Sequence, residues 1–76
     1  MSQRLLQVRP IELVRALERL GFVVRRQTGS HCILRHDVTR ILISVPIHSG
    51  DIKRGLLFGI LKQALISKKE FENVLH

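Results

Sequence analysis

The feature that most constrains this chain is a set of three short β-forming runs joined by connections of three residues each. Phe22–Gln27 is rich in β formers, Thr28-Gly29-Ser30 turns the chain, and His31–His36 follows. Asp37-Val38-Thr39 turns it again into Arg40–Val45, where Ile41, Ile43 and Val45 alternate with Leu42 and Ser44 before Pro46 ends the run. A parallel connection needs about a dozen or more residues, so strands linked this tightly must pair antiparallel. A sheet with one apolar face needs a cover, and the flanking segments supply it.

The first cover is a helix over 10–20. Pro10 suits a first helical position, where its missing N–H is not needed, and Gly21 suits the position just past the end. Ile11, Leu13, Val14, Leu17 and Leu20 are assigned to its apolar side, opposite Glu12, Arg15 and Arg19. The second cover spans about 52–64, with Asp51 as its N-cap and Leu56, Leu57, Ile60, Leu61 and Ala64 as its core stripe. Ser67-Lys68-Lys69-Glu70 has the form of a capping box and opens a short last helix through Leu75. The expected fold is α+β in the order α-β-β-β-α: a three-stranded antiparallel sheet, helices on one face, the other face open, and a short C-terminal helix. At 76 residues the chain is expected to form one domain over 1–76.

Charge narrows the function. Thirteen Lys and Arg against six Asp and Glu give a formal +7, and nine of the thirteen are Arg. Such a field attracts a polyanion, nucleic acid first and an acidic protein second. A single cysteine, Cys32, excludes an internal disulfide, and no apolar run approaches the length of a membrane span. No signal peptide is visible, so a reducing cytoplasm is the expected setting. Four histidines and the one cysteine lack ligand-like spacing, so neither a metal nor another cofactor is expected. Three Phe, with no Trp or Tyr, argue against a base-stacking sheet platform.

The chemistry concentrates in Arg25-Arg26-Gln27-Thr28-Gly29-Ser30-His31. No acidic residue lies between Glu18 and Asp37, while Arg19, Arg25, Arg26 and Arg35 do. Gly29 and Ser30 let backbone approach a phosphate and offer N–H and hydroxyl donors. Alternation puts His31, Ile33 and Arg35 on one face and Cys32, Leu34 and His36 on the other; with Cys32 and Leu34 in the core, His31 and Arg35 share the open face. A histidine exchanges protons near neutral pH, and RNA carries its own nucleophile in the 2′-hydroxyl. The alternative is an ordinary turn histidine.

These segments, in this order, resemble the HicA toxins, bacterial mRNA interferases. The resemblance runs from Pro10 to Leu75: Leu20-Gly21-Phe22, Gly29-Ser30-His31, Val45-Pro46-Ile47-His48, Ile60-Leu61-Lys62-Gln63-Ala64, and Ser67 with Phe71. It implies a fold similar to the double-stranded RNA-binding domain, cleavage of mRNA, and neutralisation by an antitoxin of the HicB type. It carries the catalytic role to His31, with Gly29 and Ser30 as motif neighbours. The chain departs from the family pattern in the hairpin, which has Val38-Thr39 in place of a glycine, and at Gly59 in the second helix.

Arg25, Arg26, Arg35, Lys53 and Arg54 are the candidate RNA contacts; Lys53 and Arg54 open the second helix, where a bound phosphate would offset their opposition to its dipole. His48 is a candidate second acid–base group or a loop histidine that merely caps. Gly55, Gly59 and Lys62 share the far side of the second helix, leaving a flat surface beside Phe58. Three readings follow: a metal-independent endoribonuclease using His31, a non-catalytic module binding duplex RNA, and a domain whose basic face meets an acidic protein. A binder has no use for a titrating group in the 29–31 turn, which separates the first from the second.

Overall fold

The computed structural model describes residues 7–75, so most of the short segment ahead of the first helix, residues 1–6, lies outside it. Six elements follow in order: α1 (Pro10–Arg19), β1 (Phe22–Gln27), β2 (His31–His36), β3 (Leu42–Pro46), α2 (Arg54–Gln63) and α3 (Lys68–Val74). The sheet is antiparallel in the order β1-β2-β3, as the short connections require.

Helix α1 begins with Pro10 at its first position, and the Glu12 carboxylate accepts a hydrogen bond from the Arg9 N–H at 2.9 Å. Its buried side carries Leu13, Val14, Ala16 and Leu17. Ile11 does not join them and is 51% exposed. It stands six residues before Leu17, about 120° round the helix at 3.6 residues per turn, so it faces away from the sheet. Gly21 ends the helix at φ +100, a conformation that glycine adopts without a Cβ clash.

The core joins Leu13, Ala16 and Leu17 to Phe22, Leu34, Ile43 and Val45 on the inner sheet face, with Ile52, Leu57, Leu61 and Phe71 closing it. Val8 is also buried, and its carbonyl accepts from the Ile52 N–H at 2.7 Å. That bond moves the start of α2. The expected cap Asp51 is exposed and precedes the helix; Lys53 is the N-cap, without a side-chain cap bond, because Ile52 is drawn into the core in extended chain. Strand β3 starts at Leu42, not at Arg40, because Arg40 turns at φ +67. It takes in Pro46, which pairs with His31 on an edge strand, where a missing N–H is tolerated.

Helix α2 packs Leu57, Ile60, Leu61 and Ala64 inward, but Leu56 is 43% exposed. Leu56, Gly59, Ile60 and Gln63 line a groove of about 470 Å³ with Ile33, Leu42 and Ser44 of the outer sheet face. The outer face is therefore open but walled along β3, and Gln63 Nε2 donates to the Leu42 carbonyl there at 3.1 Å. The helix ends in paired bonds, Ile66 N–H to Leu61 O and Leu65 N–H to Lys62 O, with Leu65 left-handed at φ +60.

Helix α3 has the capping box its sequence promised. Glu70 N–H donates to Ser67 Oγ at 3.0 Å, and Ser67 N–H to Glu70 Oε1 at 2.9 Å. The backbone bond, with the Ser67 side chain adding to it, holds the Glu70 carboxyl below its usual range. Phe71 anchors the helix, a burial worth about 1.5–3 kcal/mol. Arg19 Nη1 donates to the Val74 carbonyl at 2.8 Å. One of the arginines of the acid-free stretch thus ties α1 to α3.

Candidate active site

The site is built on the turn between β1 and β2. Thr28 organises it. Its Oγ1 accepts from the N–H groups of Ser30 at 3.3 Å and His31 at 3.0 Å, and its N–H donates to the His31 carbonyl at 2.9 Å. A threonine hydroxyl that serves two backbone donors holds a tight turn without help from outside it. The far side is fixed just past the end of β3, where Ile47 N–H donates to the Ser30 carbonyl at 2.8 Å.

His31 opens the central strand and is exposed. Its Nδ1 lies 3.0 Å from Ser30 Oγ. Ser30 can donate to a bare Nδ1, leaving a proton on Nε2, or accept from a protonated Nδ1, leaving Nε2 with a lone pair. In both states Nε2 has no hydrogen-bond partner among the described residues, so the ring can receive or deliver a proton there. Gly29 is exposed, and a Cβ built on it meets nothing within 4 Å. Nothing in the chain itself demands glycine at this position.

The cations divide. Arg26 lies opposite Ile33, which is two residues from His31 on the same face, so it is a diagonal neighbour of the histidine, about 7–8 Å away by backbone spacing. It reaches that face because β1 bulges: Val24 pairs with Leu34 and Arg26 with Ile33, leaving Arg25 as an extra residue. Arg35 shares the outer face, as alternation predicts, but stands four residues along β2, about 13 Å from His31. It lies between Val23 and Leu42, and its Nε is buried without a partner. Face sharing did not make it a neighbour of the 28–31 turn. Lys53 and Arg54 are exposed at the start of α2, whose first turn holds no acidic residue. Among the described residues one ion pair forms, Lys68 with Glu72 at 3.9 Å, so these cations face solvent uncompensated.

His48 is exposed two residues beyond Pro46, the partner of His31. Its Nδ1 lies 2.8 Å from the Ser49 carbonyl, which only accepts, so Nδ1 carries the proton. His48 lines a cavity with Arg9, Pro10, Ile11, Ile47, Ser49 and Gly50.

Two residues, His36 and Thr28, have roles that the sequence pattern did not assign. His36, given no role by its sequence position, is a fastener. Its Nδ1 accepts from the N–H groups of Val38 at 3.0 Å and Thr39 at 3.2 Å, and its Nε2 donates to the Leu20 carbonyl at 3.2 Å. It also stands edge-on to Phe22, with ring centroids 5.0 Å apart. Thr28 is the second; its signal was present, since a threonine that opens a turn can accept from the backbone N–H two residues on, as it does from Ser30. Cys32 lies behind His31 in the core, where burial, with the Glu18 carboxylate adding to it, pushes its thiol up and keeps it protonated. Among the described residues no three His, Cys, Asp or Glu side chains gather as metal ligands, and no helix is long and apolar enough to cross a membrane.

Compared with known proteins, the chain finds no match among curated ones. Residues 12–66 match the family model described as the HicA toxin of bacterial toxin–antitoxin systems, which takes in the whole sheet, the 28–31 turn and α2. With the α-β-β-β-α-α fold on which that turn is mounted, the match makes the chain a member of the HicA toxin family.

Proposed function

We propose that this toxin is a metal-independent endoribonuclease that cleaves mRNA with His31 as its proton-transfer group. The observation that carries the reading is the His31 ring itself: exposed, steadied at Nδ1 by Ser30, and free at Nε2 beside a turn that offers backbone to a phosphate. The RNA 2′-hydroxyl attacks the adjacent phosphorus and loses its proton to Nε2. The P–O5′ bond breaks, leaving a cyclic phosphate, and the departing 5′-oxygen takes up a proton. His48 is the candidate donor for that step. Arg25, Arg26, Lys53 and Arg54 draw the backbone in, and Gly29 and Ser30 contact the reacting phosphate. Arg35 holds a more distant part of the strand. The basic surface also suits an acidic antitoxin of the HicB type, and the setting is the cytoplasm.

The test is expression of wild type and His31→Ala, with RNA integrity and growth followed together. Loss of the proton-transfer group should slow cleavage by about 10²–10⁴-fold. The melting temperature should not change, because the side chain is exposed. Cleavage should persist in excess chelator. Equal RNA loss in both proteins would remove His31 from the mechanism, and wild-type protein that binds RNA but leaves it intact would favour the non-catalytic module.

A further inference from the structure

The cavity beside the catalytic turn carries an assignment of its own. It measures about 380 Å³ and is lined by Arg9, Pro10, Ile11, Ile47, His48, Ser49 and Gly50. That volume lies within the range of about 300–1,000 Å³ in which small-ligand sites fall. It adjoins the site through covalent and hydrogen-bonded neighbours. Ile47 donates its N–H to the Ser30 carbonyl at 2.8 Å, and Pro46, one residue earlier, pairs with His31.

Its lining has two parts. Ile11, Ile47 and Pro10 are apolar, and Ile11 is 51% exposed on the outward side of α1, where a polar residue would cost nothing. Arg9 supplies positive charge and donors, and His48 a polar ring; Arg9 is exposed and makes no ion pair among the described residues. Apolar walls with a cation at the rim, next to a phosphate-cleaving turn, match a nucleotide: a flat apolar base joined to an anion.

We infer that this cavity is a nucleotide subsite, which takes the base next to the cleaved phosphodiester against Ile11 and Ile47, with Arg9 on its phosphate. The assignment rests on the ribonuclease reading and extends it to a substrate class. A base paired in a duplex cannot enter such a cavity, so the substrate is single-stranded or locally opened RNA. Base preference at the cut is then set by residues of α1 and the 47–50 loop, not by the catalytic turn.

The first experiment is a methyl-detected NMR titration of the His31→Ala protein, which keeps the cavity and does not cut. Adenosine 5′-monophosphate should shift the Ile11 and Ile47 methyl signals by ring current; ribose 5-phosphate should not. Equal shifts with both, or none with either, overturn the subsite. The second uses the otherwise wild-type protein on unstructured RNA. Ile11→Ala should raise KM about five- to tenfold, the loss of one packing surface for a base, with kcat kept and the pattern of cut sites changed. Ile11→Tyr should restore KM, since a ring stacks on a base better than an aliphatic chain. An unchanged KM and cut pattern in Ile11→Ala, or duplex RNA cut as fast as single-stranded RNA, also overturns it. Should the wild type leave RNA intact, the ribonuclease reading falls on its own, and the methyl titration still decides the cavity.

Discussion

Two glycines show how differently one residue type can be required. Gly21 is demanded by the chain: its φ is +100, and a Cβ there would lie 2.5 Å from His36 Nε2. Gly29 is demanded by nothing within the chain, having open space above it. Gly21→Ala should therefore cost about 1–3 kcal/mol, by strain and by displacing the His36 fastener. Gly29→Ala should stay within about 0.5 kcal/mol of wild type, as surface changes do, yet lower RNA cleavage by keeping phosphate off the backbone. Thermal melts beside an RNA-cleavage assay separate the two, and a fully active Gly29→Ala would mean that phosphate does not touch the turn. Legibility follows the same division. The local setting of His31 could be read because its hydrogen-bond partners, Thr28 and Ser30, are close in sequence. His36 could not, because Leu20 and Phe22 reach it only when the sheet pairs.

The elements sort by how local their boundaries are. Both ends of β1 and β2 agree with the sequence, since Gly21, the 28–30 turn and Asp37 punctuate them directly. The starts of β3 and α2 do not, because one depends on the left-handed Arg40 and the other on Ile52 reaching the core. The end of α2 is strained in a way that can be relieved. Leu65 occupies the left-handed position that glycine normally fills, and its side chain is 75% exposed, so it gains little from packing. Leu65→Gly should stabilise the protein by about 0.5–1 kcal/mol, the left-handed penalty less glycine's extra freedom in the unfolded chain. Urea unfolding measures it; a loss of stability would mean that Leu65 packs in a way its exposure does not suggest.

For the whole molecule, the net charge of +7 was plain in the sequence, but its distribution was not. Arg19 is committed to α3, and Arg35 stands apart from the 28–31 turn, while Arg25, Arg26, Lys53 and Arg54 remain exposed. RNA affinity should fall with added salt, and replacing any one of those four by alanine should flatten the slope of log K against log salt by about one. Arg19→Ala should instead lower stability and leave the slope alone; a flattened slope there would show that Arg19 meets RNA. The bulge at Arg25 has a further consequence, for chain length. Because pairing on either side of it skips that residue, Val24 facing Leu34 and Arg26 facing Ile33, deleting Arg25 would leave every paired residue of β1 opposite its present partner. Deleting Val24 would close the same bulge, but with Arg25 drawn into its inward place opposite Leu34. Loss of a single residue is thus permitted at Arg25, three positions before Thr28, without moving any paired side chain of β1 to the other face.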